Sequence, residues 1–372
     1  MFLLGLIVSG CGGGDSPSPN KPGESVRTEQ DFMSISAGYS DICGIVTPGA
    51  LWCWAPNANG KGQPRHQASG PFPPTQVGTE TTWTQVSTQN EVICGIRQDN
   101  SLWCWGSNLG GRVGVGSDNT HAHIDKPKQV MPGSEFRSVD VGDESVCAVS
   151  TDDSLWCWGS NVHGTVGDGT NTDASSPVRI GVDTSWASVS SGKTVACAVD
   201  TKGREWCWGG AQQGDQSKNG GSDPRVPAKS GDSSISWTAI DLSGDYRCGL
   251  DTSSSLHCDF DDEIDLGLNS WASFGFGGTA LCAINKVRTL FCVGGNDNGS
   301  LGTGNFNDSS SMIKVAGPDQ WLSVSVGEGE NCGIDRDGVA WCWGATAHDS
   351  NKSDKVDLID PSTPMKIVLP KS

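Results

Sequence analysis

The sequence predicts an all-β chain, folded as a seven-bladed β-propeller of four-stranded blades with one blade degenerate. Three observations carry this reading. Fourteen of the fifteen cysteines form seven pairs, Cys43/Cys53, Cys94/Cys104, Cys147/Cys157, Cys197/Cys207, Cys248/Cys258, Cys282/Cys292 and Cys332/Cys342, each ten positions apart. An aromatic residue stands eleven positions before the first cysteine of every pair: Phe32, Trp83, Phe136, Trp186, Trp237, Trp271 and Trp321. Successive first cysteines lie 51, 53, 50, 51, 34 and 50 positions apart, so residues 31–372 read as seven units with the fifth cut short. Self-similarity at a period of about fifty residues is the signature of a repeat architecture.

Composition agrees with strands and turns. Glycine is abundant, at 51 of 372 residues, and only 18% of residues are charged. No long 3.6-period stretch occurs, so helix is not the main element. Short runs rich in Val, Ile, Trp and Cys are punctuated by Gly, Asp, Asn and Ser, which is the pattern of strands joined by tight turns. The chain carries 43 acidic and 25 basic side chains, a formal charge of −18. That field repels phosphate backbones, so nucleic acid is not an expected partner. No apolar run approaches the roughly 20 residues of a membrane helix.

The N-terminus stands apart from the repeat. An apolar stretch from Phe2 to Val8 is followed by small residues and then Cys11. Val8-Ser9-Gly10-Cys11 resembles a bacterial lipoprotein processing box. That resemblance implies that residues 1–10 are a cleaved signal peptide and that Cys11 carries lipid, which is the expected membrane contact. Two features depart from the pattern: Val stands where Leu is commoner, and no Lys or Arg precedes the apolar stretch, as a start further upstream would explain. Gly12 is not the inner-membrane retention Asp, which favours the outer membrane. The expected location is the cell envelope, facing the periplasm or the exterior. Residues 11–30 are Gly/Pro/Ser-rich and read as a flexible tether, with an r.m.s. reach of roughly 25 Å.

Within a unit the elements follow in a set order. The aromatic opens the first strand, as in "WASVS" at 186. In five units a glycine stands five positions before the first cysteine. A second strand such as "VACAVD", a tight turn and a third strand such as "EWCWG" follow. A Gly-rich loop and a short proline-led strand, such as "PKQV" or "PVRI", complete the unit. If the paired cysteines face each other, the turn is a three-residue loop whose last residue is left-handed. Those residues are Gly49, Asn100, Asp153, Gly203, Ser254, Arg288 and Gly338, five of which are types that tolerate positive φ. Counting from the closing pair, the cysteines fall on a non-hydrogen-bonded pair, where side chains are closest and a disulfide can form.

Alternation along the third strand then explains the Trp-Cys-Trp tripeptide. The cysteine occupies one face and the two tryptophans the other. The pairs are Trp52 and Trp54, Trp103 and Trp105, Trp156 and Trp158, Trp206 and Trp208, and Trp341 and Trp343. A sheet with large side chains on both faces is sandwiched between two neighbours, and seven such sheets close a ring. The expected role of all ten tryptophans is packing between blades. The C-terminal "PMKIV" is expected to close the ring by pairing with the blade opened by Phe32.

The string "CAVSTDDSLWCWGSNVHGTVGDG" at 147–169 resembles the repeat named for the regulator of chromosome condensation, a seven-bladed propeller with units of about this length. The Trp-x-Trp-Gly-x-Asn-x-x-Gly-x-Val/Leu-Gly-x-Gly pattern is complete in units two and three, partly kept in unit six, weaker in one, four and seven, and mostly lost in five. The doubled cysteines are similar to those of exported bacterial members. The resemblance implies a binding disc: the nuclear founder is a nucleotide exchange factor that docks on chromatin, and one exported type inhibits β-lactamases. The fold alone does not name a partner.

Other chemistries fit the residues less well. Gly-rich strings such as "GTVGDG" are followed by strands, whereas a phosphate loop needs a helix N-terminus behind it. Cysteine spacings of ten suit hairpin disulfides better than zinc, whose ligand pairs stand two to four apart; such disulfides require export from the reducing cytosol. The six histidines, His66, His121, His123, His163, His257 and His348, are scattered, and only His121 and His123 hint at a metal. Unit five carries Asp259, Asp261, Asp262, Glu263 and Asp265, read as a solvated acidic edge of a degenerate blade, with a cation site as the sharper alternative. No nucleophile stands beside a base, so no catalytic residue, metal site or cofactor is expected, nor a small-molecule ligand. The expected function is binding of a protein partner through four variable segments, 55–73, 107–126, 210–223 and 345–362, which share one face. A carbohydrate-binding propeller, with exposed aromatics, is the alternative; a propeller-based hydrolase or lyase, with acids converging near the axis, is the second.

Overall fold

The computed structural model describes residues 31–39, 41–54, 74–116, 123–210, 223–230, 234–259, 264–267, 270–328, 330–344 and 362–369. They form seven antiparallel sheets in chain order. The first sheet joins Phe32–Ala37, Ile42–Val46, Ala50–Trp54 and Thr75–Gln76, and the other blades repeat this plan. Blade five keeps three strands among the described residues, Trp237–Ser243, Tyr246–Asp251 and Leu256–Cys258, as its lost loop and proline-led strand predict. First strands neighbour one another in order around an axis, and the first strand of blade seven (Trp321–Val326) meets that of blade one.

The hairpins have the expected register. Cys43 opposes Cys53, Cys94 opposes Cys104, Cys147 opposes Cys157 and Cys197 opposes Cys207. Cys248 opposes Cys258, Cys282 opposes Cys292 and Cys332 opposes Cys342. All seven pairs are bonded, at Cα–Cα separations of 4.1 to 4.2 Å, those of non-hydrogen-bonded pairs. All seven turn residues from Gly49 to Gly338 have positive φ. Ser254 and Arg288 adopt it although neither is a favoured type, because the three-residue closure demands it there.

Each interface between blades repeats one contact. The disulfide face of a blade packs against the aromatics of the next. Cys43 and Cys53 lie against Trp83 and Trp105, and Cys94 and Cys104 against Phe136 and Trp158. Cys147 and Cys157 lie against Trp186 and Trp208, and Cys282 and Cys292 against Trp321 and Trp343. Cys332 and Cys342 of blade seven close the ring against Phe32 and Trp52 of blade one. The core is therefore seven clusters, one per interface.

The Gly-rich string is a latch across the same interface. Asn108, Asn161 and Asn296 each accept, through Oδ1, the N–H of the residue five positions on, Val113, Val166 or Leu301, at 2.9–3.0 Å. That residue is fully buried. The glycine after it rests on the indole of the next blade: at Gly167, φ +83°, a Cβ would come within 2.7 Å of Trp208 Nε1. The indoles of Trp158, Trp208 and Trp343 donate to carbonyls of these strings at 2.8 Å. The turn-making reading of the glycines holds, and the packing supplies its reason.

Three expectations need refinement or correction. The packing role of the ten tryptophans holds, since Trp54, Trp103, Trp156, Trp206 and Trp341 also pack against inter-blade clusters, but their burial differs. Trp105, Trp158, Trp208 and Trp343 are buried at 0–2% exposure, whereas Trp103, Trp156, Trp206 and Trp341 are half-buried. Indoles of the second group bond within their own hairpins, Trp341 to Asp335 at 2.8 Å and Trp206 to Asp200 at 3.1 Å, and Arg97 stacks on Trp103 at 4.1 Å. Blade one inverts the order, with Trp52 buried and Trp54 half-buried edge-on to Phe32.

The fourth strand is not always the short proline-led run. In blade two it spans His123–Val130 and takes in the end of the variable segment 107–126. Its ladder with the third strand is irregular beside the disulfide: Cys104 pairs with Lys128, but Gly106 pairs with Ile124. The same shift follows Cys157 in blade three and Cys292 in blade six. Gly106, at φ +106°, makes the bend that lets the longer strand bulge. Pro127 lies in the bulge, where its missing N–H interrupts no ladder bond.

Ring closure is the third correction. The C-terminal strand Met365–Lys366 pairs with Trp341 and Cys342 of its own blade, not with the blade opened by Phe32. Every described fourth strand bonds to its own third strand, so closure needs no borrowed strand. Ile367 and Leu369 contribute packing alone to the blade-one interface.

The division among the tryptophans sets a test. Trp208→Ala removes a side chain enclosed by two blades and is expected to cost about 3–5 kcal/mol. Trp206→Ala is expected to cost less than half of that. Urea unfolding midpoints of the two variants check the order.

Candidate functional site at the propeller axis and its open face

The strand directions define two faces. First strands end, and second strands begin, on one face. Third strands exit onto that face too: Ser107 and Ser160 donate their N–H groups to Glu91 and Glu144, and Gly210 and Gly295 donate theirs to Thr194 and Thr279, at 2.7–2.9 Å. The variable segments therefore start beside the first connections. Residues 55–73, 117–122, 211–222 and 345–361 of those segments lie outside the described residues, and their anchors define the face. Around the axial mouth stand Tyr39, Asn90, Asp143, Lys193 and Glu328, each seven positions after its opening aromatic. Tyr246 is exposed on the corresponding connection of blade five. The hairpin turns occupy the opposite face.

A belt of hydrogen bonds circles the axis below this mouth. It uses the residue four positions after each opening aromatic: Ser36, Ser87, Asp140, Ser190, Asp241, Gly275 and Ser325. Apart from Gly275, each offers a side-chain oxygen that accepts the N–H at the following position of a neighbouring blade. Ser36 accepts from Thr88 (3.1 Å), Ser87 from Val141 (3.0 Å) and Asp140 from Ser191 (2.7 Å). Ser190 accepts from Leu242 (3.1 Å), Asp241 from Phe276 (2.9 Å) and Ser325 from Ala37 (2.9 Å). Gly275 has no side chain to offer, so the belt has one gap. The glycines five positions before the first cysteines let the strands approach: a Cβ on Gly38 or Gly192 would come within 2.5 Å of the next blade's carbonyl oxygen.

Two belt positions carry acids. Asp140 and Asp241, from blades three and five, face an axial cavity of about 200 Å³. Asp143 and Glu328 line it as well, and no Lys, Arg or His among the described residues does. Both aspartates keep partial exposure, and both line this half-open cavity. Burial pushes the Asp140 carboxyl up to about 7, and the Asp241 carboxylate adds to the shift. Burial pushes Asp241 up to about 6, against hydrogen bonds from Phe276, Leu242 and Ser190. Glu328 at the mouth is raised by burial and then by Asp143, with Lys193 opposing. Sequence reasoning missed these residues, although a frame counted from the opening aromatics aligns them with the serines of other units.

Acids thus converge on the axis from different blades, as a hydrolase or lyase would need. The cavity is nevertheless smaller than the roughly 300–1,000 Å³ that encloses a small organic ligand. Neither Asp140 nor Asp241 bonds to a His, Lys or Cys among the described residues. Such a space suits waters or an ion.

The other candidate residues fall elsewhere. Cys11, His66, His121, His348, Asp261, Asp262 and Glu263 lie outside the described residues. The remaining histidines pair with carboxylates, His123 with Asp125, His163 with Glu144 and His257 with Asp251, at 2.8–2.9 Å. Asp259 accepts the Arg247 N–H at 2.6 Å and pairs with the Arg247 guanidinium at 4.0 Å, and Asp265 accepts the N–H of Gly267, two residues on, at 2.8 Å. Cys197, Glu205 and Cys207 cluster within 4.8 Å, but the two sulfurs are bonded to each other and Glu205 pairs with Arg247.

The axial acids predict a pH dependence. A carboxyl whose folded pKa lies above its ordinary value of 3.8 binds its proton more tightly in the folded state. Its stabilisation is complete below about pH 4 and is lost as pH rises through about 7. Asp140→Ser keeps a belt acceptor, since serine holds this position in four blades, and removes the charge. In chelator-containing buffer near pH 8 this variant is expected to melt above wild type by at least about 2 °C, the shift made by roughly 1 kcal/mol. The gain is expected to vanish near pH 5, and thermal melts at both pH values check it.

Known proteins share this architecture. Residues 99–149 and 152–199 match the model of the Regulator of chromosome condensation (RCC1) repeat, and residues 136–165 match a second model of that repeat. Among solved structures, human WBSCR16 is similar with a TM-score of 0.70 and 16% identity, over 81% of this chain and 85% of that one. The CRINKLY WD40 ectodomain of the Arabidopsis thaliana receptor kinase ACR4 is similar with a TM-score of 0.55 and 17% identity, over 92% and 100%. Prp20p from Saccharomyces cerevisiae gives a TM-score of 0.50 and 14% identity, over 91% and 77%. At these identities the structures establish the fold alone. Residues 99–199 thus carry two regulator of chromosome condensation repeats, set in a seven-bladed propeller whose latch is built by the Asn and Gly positions of the string.

Proposed function

We propose that this propeller is a non-catalytic binding protein that recognises another protein through the face bearing the axial mouth. One observation carries the reading: the strands that lead into the variable segments end on the same face as the mouth. That face also displays both tyrosines of the chain, Tyr39 at 50% and Tyr246 at 56% exposure. Tyrosine is enriched at protein interfaces. Asp143, Glu144, Asp245 and Glu328 outnumber Lys193 and the buried Arg112 around the mouth, so the complementary surface is basic. The similar Prp20p has been studied for its binding to Gsp1p and histones, which supports protein binding as the class.

The proposed setting is the cell envelope. Seven disulfides are stable only in an oxidising compartment. The proposed lipid on Cys11 and tether 11–30 lead into Phe32, whose N–H bonds to Gly338 on the hairpin-turn face.

Affinity capture from envelope extracts tests the proposal. Bait with the four variable segments exchanged, or carrying Tyr39→Ala with Tyr246→Ala, is expected to lose the proteins that wild type retains. Val287→Asp, on the opposite face, is expected to retain them. Equal capture by all baits contradicts the assignment of the face.

A further inference from the structure

The interface between blades four and five differs from the other six. We propose that the ring has a seam there, at which a charged triad of Glu205, Arg247 and Asp259 replaces the apolar lock, and that blades four and five part at this seam before any other pair of blades does.

Three positions depart from the repeat together. Glu205 stands two positions before the second cysteine of blade four, where every other blade has Leu or Ala. Arg247 precedes the first cysteine of blade five, where blades one to four and blade six have Ile, Val, Ala or Leu. Asp259 holds the sequence place of the second tryptophan, which as Trp105, Trp158, Trp208 or Trp343 is buried on the disulfide of the preceding blade.

The three side chains meet across the interface. Glu205 lies on the disulfide face of blade four with its side chain fully buried, and its Oε1 is 3.6 Å from Cys207 Sγ. Alternation puts Arg247, the neighbour of Cys248, on the face of blade five turned toward blade four. Its guanidinium donates to Glu205 Oε1 at 2.5 Å and stands 5.9 Å from the Trp237 ring centre. Arg247 Nε makes no hydrogen bond among the described residues and lies 4.0 Å from Asp259 Oδ2. Ser230 also faces Glu205.

Such a triad holds less firmly than packed side chains. A buried ion pair loses in hydration about what it gains in attraction, and apolar residues of similar volume often hold better. Burial raises the Glu205 carboxyl above its ordinary value, with the Arg247 charge opposing, so pairing does not offset the lost water. Two observations are independent of the charges. The apolar cluster at this interface, Cys197, Val199, Cys207, Trp237, Ile240 and Leu242, is the smallest of the seven among the described residues. With Asp259 in the tryptophan's place, no indole stands there to donate to a Gly-rich string as Trp158, Trp208 and Trp343 do.

Opening at the seam breaks no disulfide and unfolds no hairpin, since each disulfide lies within one blade. It releases the backbone bonds that cross the interface, from the Trp237 N–H to the Gly203 carbonyl and from the Lys193 N–H to the Gly244 carbonyl, both 2.9 Å. The second bond lies at the axial mouth, so the seam is a hinge of the open face, whatever that face binds.

Equivalent bonds let the interfaces be compared within one molecule. The N–H of every opening aromatic donates to the carbonyl of the preceding blade's left-handed turn residue, at 2.7–3.0 Å. Amide exchange in the oxidised full chain, labelled with ¹⁵N-tryptophan, reads those of Trp83, Trp186, Trp237, Trp271 and Trp321. The Trp237 amide is expected to be at least about tenfold less protected than those of Trp186 and Trp321, whose interfaces keep buried indoles. Glu205→Leu with Arg247→Val restores the residue types of the other blades and keeps the backbone N–H that Asp259 accepts. This double variant is expected to melt at least about 2 °C above wild type and to bring Trp237 to the protection of Trp186. Arg247→Val alone leaves Glu205 buried without its cation, and is expected to lower both the melting temperature and the protection of Trp237. Wild-type protection of Trp237 as high as that of Trp186 and Trp321, or a double variant that melts no higher than wild type, overturns the proposal.

Discussion

The fold depends on a disulfide laid against an aromatic ring, repeated at every interface. The bond fixes the second and third strands of a blade into one rigid hairpin. Its sulfurs present a flat apolar surface to the opening aromatic of the next blade, as Cys197 and Cys207 do to Trp237. The hydrophobic burial is shared between blades, so no blade buries its own faces alone. The contact also tolerates losses elsewhere. Blade five lacks the Trp-Cys-Trp string, yet Cys248 and Cys258 still pack on Trp271, and His257 stands edge-on to Trp237 at 5.5 Å where a tryptophan sits in other blades.

Two further devices act at other radii. The Asn-anchored strings latch blade to blade toward the rim, through indole hydrogen bonds. The belt does so at the axis, through short side chains that reach the neighbouring backbone. Serine satisfies the belt without charge. Aspartate satisfies it too, but brings a carboxylate into a confined space, and two of them bring repulsion. Features that cost stability without need in neighbouring blades point to function, which is why the axis and its mouth are the centre of the functional reading.

The blade number, the strand order within a blade, the hairpin register and the left-handed turn residues were all legible in the sequence, because each follows from the cysteine spacing and the period of two in a strand. Ring closure was not: "PMKIV" suggests a borrowed strand, whereas packing of Ile367 and Leu369 onto blade one serves instead. The bulge beyond Cys104 was hidden as well, since the strand opposite it runs into a segment whose composition reads as loop. The unequal burial of Trp156 and Trp158 was invisible, since alternation gives a face but not a radius along it. Asp140 and Asp241 were masked by the conspicuous acidic run at 259–265; the axial pair is about a hundred residues apart in sequence and meets only through ring geometry. The common face onto which the third strands exit was legible as a shared place in each unit, though not its charge or its tyrosines.

The central claim is that seven local disulfides, each within one hairpin, build the ring. Digestion of the natively oxidised protein without reduction, followed by mass spectrometry of the linked peptides, tests it most directly. The account predicts links only between cysteines ten positions apart, from Cys43–Cys53 and Cys94–Cys104 to Cys332–Cys342. Links between different units, or unmodified thiols at most of these positions, would contradict it.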